Sequence, residues 1–128
     1  MDLITPIPIP SPEWLNAPIS IETLIRRLGI SGKYIGLGYL VYAVELVLDH
    51  PEKLQLITKN LYPEIAEHFG CHVPNVERAI RTVSKIAWER NPALLREMAG
   101  FRLLDRPTCT EMIDFIVNYI HNNNIQLL

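Results

Sequence analysis

Residues 61–88 read LYPEIAEHFGCHVPNVERAIRTVSKIAW, and the fold turns on how this stretch is divided. Pro63 suits the first turn of a helix running to Phe69, because an N–H is not needed there and its fixed φ is already helical. Gly70 breaks that helix. Pro74 can start a second one, in which Val76, Ala79, Ile80, Val83, Ile86 and Ala87 recur with the 3.6-residue period to about Trp88. A helix-turn-helix needs two helices joined by a very short turn, a small residue at their crossing and a glycine where φ becomes positive. Ala66 and Gly70 supply both: Ala66 sits beside Ile65 and Phe69 on the first helix, and Val76 with Ala79 or Ile80 closes the shared core from the second.

The same periodicity pushes other side chains outward. With Val76, Ile80, Val83 and Ala87 inside, Pro74, Asn75, Glu77, Arg78, Arg81 and Lys85 occupy the opposite arc. Such an arc fits a DNA major groove. Arginine pairs bidentately with guanine, so Arg78 and Arg81 are the leading base contacts, and Asn75 can pair with adenine. Glu77 either accepts from a cytosine amino group or orients one of the arginines through an ion pair. Residues 70–90 carry four cations against two carboxylates, whereas 34–52 carry three carboxylates and only Lys-free, Arg-free sequence. Lys59 ranks first among phosphate contacts, with Lys85 beside the reading face; Arg26, Arg27, Lys33, Lys53, Arg102 and Arg106 are further candidates.

Working outward, Ser20 is placed to cap a helix over 21–28, with Gly29 as its left-handed end. A central helix follows over about 33–49, apolar on more than one face. Pro51 opens a short amphipathic segment reaching Leu61. Asn91-Pro92 stops the long helix, a short one ends at Gly100, and Thr108 with Glu111 has capping-box spacing before a final helix reaching Asn122. The expectation is an all-α bundle of six or seven helices containing a helix-turn-helix. The domain is expected over 19–128. Residues 1–18 hold five of the ten prolines and read as a polyproline-like arm or linker, pinned by Trp14 or used for dimerisation.

Composition excludes several classes. The chain has 128 residues, 48% hydrophobic and 20% charged, enough apolar content for one core. A formal charge of −2 provides no bulk attraction for polyanions, so any nucleic-acid site is a local patch. No apolar run has the length of a membrane span, no secretory signal is evident, and two cysteines suit a reducing cytoplasm without a disulfide. His68, Cys71 and His72 form H-x-x-C-H, but a fourth metal ligand is missing. No phosphate-binding glycine loop or nucleophile-base pair suggests an enzyme, and no cofactor is expected.

The residues ITK, LYP, the Ile65-Ala66 pair with Phe69, and VERAIR, in this order over 57–88, resemble the DNA-binding effector domain of the sporulation-initiation response regulator of spore-forming Firmicutes. The similarity extends from about Ile21, through the GYL of residues 38–40, to PTCTEMI at 107–113. It implies a six-helix domain that binds a short DNA element, often in tandem copies, and regulates transcription by contacting RNA polymerase. It also implies base reading at Glu77, Arg78 and Arg81. Thr82 stands where the family usually has histidine, Pro74-Asn75 replaces a usual Ser-Arg pair, and NPALLREMAG (91–100) is shorter and more apolar than the family's polymerase-contact segment. The family's receiver domain is not present in these residues, so phosphorylation control in cis is expected to be absent.

The expected function is sequence-specific binding of double-stranded DNA, with a homodimer on tandem sites or through the proline-rich arm. The alternative is a protein-interaction module that binds a regulator, polymerase or itself without reading DNA.

Overall fold

The computed structural model describes residues 17–128; the expected proline-rich arm, with Trp14, lies outside them except for its last two residues. Seven α-helices follow in the described residues: α1 (Ile21–Arg26), α2 (Ile35–Asp49), α3 (Ile57–Asn60), α4 (Tyr62–Phe69), α5 (Val73–Arg90), α6 (Pro92–Ala99) and α7 (Cys109–Asn122). A 3-10 turn at Pro51–Leu54 separates α2 from α3. The fold is all-α, as the sequence predicts, and among the described residues no helix is long and apolar enough to cross a membrane.

Local chemistry sets most of the boundaries. Ser20 Oγ accepts from the Thr23 N–H at 3.0 Å, satisfying one of the amides that a helix start leaves open. Thr108 and Glu111 cap each other reciprocally at the start of α7, at 2.9 and 3.1 Å. At the α5–α6 junction, Asn91 Oδ1 accepts from the Leu94 N–H while its Nδ2 donates to the Arg27 carbonyl at 2.7 Å. One side chain thus caps α6 and ties it to the exit of α1.

Two segments differ from the sequence expectation. α1 ends at Arg26 rather than at residue 28, because the chain turns tightly through Gly29 at φ 94°. A Cβ at Gly29 would lie 2.6 Å from Arg90 Cβ, so this turn is pressed against the end of α5. The segment after Pro51 is broken at Leu56, which takes φ 53° and is exposed, so one expected amphipathic helix becomes a 3-10 turn and a single α-turn. Near the chain ends, the Ile19 N–H donates to Gln126 O at 3.0 Å and the Leu128 N–H to Ile19 O at 3.1 Å. This one parallel bridge is the extent of β-pairing among the described residues.

α2 is the hub. Leu40, Ala43, Val44 and Val47 are essentially inaccessible, and the helix packs against α1, α4, α5 and α7. Its closest approach is to α5. An added Cβ at Gly36 would stand 2.4 Å from the Ala79 carbonyl oxygen and 2.9 Å from Val83 Cγ1, so the two backbones meet where residue 36 has no side chain. Gly38, two residues on and on nearly the opposite face of α2, is different: a Cβ there would meet only the Phe69 ring, at an ordinary 3.8 Å.

These two glycines make a matched test. Gly36→Ala is expected to destabilise the domain by about 1–3 kcal/mol, since forcing α2 and α5 apart outweighs the helix-propensity gain. Gly38→Ala is expected to stabilise it by about 0.5–1 kcal/mol through that same gain. Urea unfolding followed by circular dichroism measures both, and equal effects at the two positions contradict the account of the crossing.

Candidate nucleic-acid interface

The turn between α4 and α5 is built by backbone requirements before any function is considered. Gly70 ends α4 at φ 68°, ψ 40°, and a Cβ there would meet nothing within 4 Å. Glycine is therefore required by conformation alone. The Cys71 N–H reaches back to the Ala66 carbonyl at 2.9 Å, closing the helix end as the chain reverses. Pro63 and Pro74 sit in the first turns of α4 and α5, as the sequence predicts. Ala66, Ile65, Val76 and Ile80 are buried together beneath the turn.

Above that core, α5 divides as its periodicity requires. Val76, Ile80, Val83, Ser84, Ile86 and Ala87 are buried, whereas Asn75, Arg78, Arg81, Thr82 and Lys85 are exposed and Glu77 is half-buried. The helix runs 18 residues, so the reading arc is displayed on one continuous rod. Arg78 makes no ion pair among the described residues, and its carbonyl accepts from Thr82 Oγ1 at 3.0 Å. Arg81 Nη2 donates to Glu77 Oε1 one turn earlier, the orienting role that the sequence left open beside direct base contact.

The arginines border different depressions. Arg78 lines a groove of about 600 Å³ with Asn75, Thr82, Tyr34, Gly36 and Tyr39, between α5 and the start of α2. Arg81 and Glu77 line a cavity of about 390 Å³ with Tyr62, Ser84, Arg106 and the start of α7. Lys59 is exposed beside Thr58 and Thr110, which also border that second cavity, so it lies on the Arg81 side of the face.

Asn75 has a local task as well. Its Oδ1 accepts from the His72 N–H at 3.1 Å, securing the start of α5. Bidentate adenine recognition uses both Oδ1 and Nδ2, so in this arrangement only Nδ2 remains available. The three H-x-x-C-H residues have separate surroundings: His68 stacks on Tyr42 at 4.1 Å, the Cys71 thiol lies beside the Tyr39 hydroxyl and helps to hold its pKa up, and His72 is exposed at the start of α5. Among the described residues, no group of three metal-ligating side chains converges. Phe69, placed beside Ala66 by the sequence, is 41% exposed and packs at a tilt on Tyr39 and edgewise on Tyr42.

Other basic candidates are drawn elsewhere. Lys53 Nζ donates to Glu64 Oε1 at 2.7 Å, which ties the 3-10 turn to α4, and Arg26 pairs with Glu22 at 3.1 Å. Lys33 sits over the Tyr34 ring, 5.1 Å from its centroid. Trp88 is half-buried and carries the Arg96 guanidinium 5.0 Å from its ring. Tyr62, Ser84, Thr58 and Thr110 also border the Arg81 cavity, although the sequence pattern gives none of them a site role. Ser84 was detectable as a hydroxyl flanked by the core positions Val83 and Ile86; the others become neighbours only through the return of α7.

Because Arg78 and Arg81 are outside the core, Arg78→Ala and Arg81→Ala are each expected to keep the melting temperature within about 3 °C of the parent. Thermal unfolding checks this, and a larger drop in either variant assigns that arginine to the fold.

The buried crossing, the glycine-ended turn and the outward arginines have a counterpart among known proteins. A family described as "Sporulation initiation factor Spo0A C terminal" matches residues 21–120, from the first residue of α1 to near the end of α7. The match spans most of the chain and every α-helix, so this chain belongs to the Spo0A C-terminal family of DNA-binding effector domains that regulate transcription in sporulation.

Proposed function

We propose that residues 19–128 form a sequence-specific DNA-binding domain whose α5 enters the major groove, with Arg78 and Arg81 reading bases. The observation that carries this reading is the exposure of both arginines on one face of a rod whose opposite face is fully buried. Glu77 orients the Arg81 guanidinium and is available to a cytosine amino group, and Asn75 contributes its Nδ2. Lys59 and Lys85 neutralise phosphates on either side and fix the register without selecting sequence. Binding requires no phosphorylation of these 128 residues, and the setting is the cytoplasm.

A second surface supports the regulatory part. The connection between α6 and α7 exposes Phe101 (54%) and Leu104 (72%), next to the segment that corresponds to the family's polymerase contact. An exposed apolar pair is suited to a protein partner. RNA polymerase, or a second copy of the domain on a tandem site, is the partner we assign to it.

Selection of bound duplexes from random DNA, followed by fluorescence anisotropy, tests the reading. Arg78→Ala and Arg81→Ala are each expected to cost about 1–3 kcal/mol and to relax preference at one position. Lys59→Ala and Lys85→Ala are expected to weaken all duplexes alike and to lower the salt slope by about one each. No preference for any duplex at low or moderate salt, with both arginine variants binding as the parent does, leaves the protein-interaction reading in its place.

A further inference from the structure

The cavity of about 390 Å³ behind Arg81 contains more hydrogen-bonding capacity than the protein itself satisfies. Tyr62 and Ser84 line it, each 1% exposed, and among the described residues the Tyr62 hydroxyl and the Ser84 hydroxyl are buried without a hydrogen-bond partner. An unsatisfied buried hydroxyl is costly, so Ser84, with no partner, and Tyr62, with only a thiol beside it, point to something that fills the cavity. The Cys109 thiol lies beside the Tyr62 hydroxyl, and burial keeps both groups protonated, as donors rather than anions.

The rest of the wall favours negative charge. α7 begins here, and the N–H groups of Cys109 and Thr110 have no hydrogen-bond partner among the described residues, since the Thr108 hydroxyl and carbonyl serve the next two amides. The helix is 14 residues long, so its start carries the positive end of a developed dipole. Arg81 and Arg106 add two guanidinium groups; Glu77 on the wall is already paired with Arg81, and Glu111, which accepts from the Thr108 N–H, offsets part of the dipole. One cation is thereby left uncompensated.

We propose that this cavity is a binding site for a free phosphate group, either inorganic phosphate or the terminal phosphate of a small metabolite. Two amides, two guanidinium groups and two hydroxyls surround a tetrahedral oxyanion with more donors than a planar carboxylate has acceptor positions to use. A duplex phosphodiester is flanked by a sugar on each side, whereas a terminal phosphate offers three free oxygens and enters a recess with less bulk. The ligand competes with Glu77 for the Arg81 guanidinium and draws it away from the groove-facing side. Occupancy therefore weakens DNA binding; this consequence, unlike the site itself, rests on the proposed function.

The test uses the 128-residue chain and inorganic phosphate, titrated calorimetrically against chloride at equal ionic strength. A single saturable site and a melting temperature that rises with phosphate are expected. Arg106→Gln is expected to weaken phosphate about tenfold. Ser84→Ala is expected to lower phosphate affinity several-fold while leaving the phosphate-free protein as stable as the parent or more so, a combination that a purely structural serine does not give. Absence of saturable binding overturns the site, as does binding that neither substitution alters. If phosphate does not bind but both substitutions weaken DNA and reduce its salt slope, the occupant is a backbone phosphate and the free-ligand proposal fails. With selected DNA, phosphate at constant ionic strength is expected to raise the parent's dissociation constant, and to do so for Arg106→Gln only at about tenfold higher phosphate. Calorimetry contains no DNA, so its result stands whether or not the DNA reading does.

Discussion

The Ala79 carbonyl oxygen occupies the space that a side chain on residue 36 would need, and this contact between two backbones governs the rest of the domain. Helices normally cross at the distance their side chains dictate, with axes 8–10 Å apart as a general rule. Here glycine removes that spacer on α2, and α5 settles directly on it. Val83 Cγ1 fills the remaining space beside Gly36, while Val76, Ile80 and Ala87 bury the same side of α5. The roll of α5 about its axis is thereby fixed. A rotation by one residue, about 100°, would drive guanidinium groups toward the core, where an unpaired charge is far costlier than the burial it displaces.

A fixed roll explains why one helix can carry two incompatible surfaces. The inner face needs only shape and hydrophobicity; the outer face needs charge that is held in place without being neutralised. Arg78 and Arg81 meet the second need differently. Arg78 borders an open groove with no ion pair among the described residues, so its guanidinium is available at little desolvation cost. Arg81 is held by Glu77 four residues earlier, in an exposed pair of the kind that contributes little to stability. Its value is orientational: the pair limits where the guanidinium points and is easily exchanged for a better acceptor.

The sequence made the helices legible because each boundary has a local chemical cause. Ser20, Pro63, Gly70, Pro74, Asn91-Pro92, Gly100 and the Thr108–Glu111 box act within four residues of where they stand, and a single chain displays such signals in full. The outward position of Arg78, Arg81 and Lys85 was legible for the same reason, since it follows from the period of one helix. What depends on other elements was not. Gly36 reads as an interruption in an apolar run until α5 is laid across it, and Gly29 as a helix end until Arg90 is found against it. Leu56 took a left-handed conformation that no neighbouring residue type demanded. Asn75 was legible as exposed but not as occupied, because its Oδ1 is engaged by the His72 amide in a turn whose shape depends on Gly70.

The limits of local reading are clearest around Arg81. Its neighbours in sequence present it as a base contact with a carboxylate partner, and that description is correct for the face that looks outward. The other side is assembled from residues 62, 84, 106 and 108–110, which α7 brings back across some thirty residues of chain. There Arg81 meets the start of a helix, a second guanidinium and two buried hydroxyls. A side chain on the border between an exposed face and a polar interior has acceptors competing for it on both sides. Since Glu77 is a weak holder in high dielectric, small differences in what occupies either side decide where the guanidinium goes. The buried crossing holds the helix still, and on that stationary support one side chain is left with a choice.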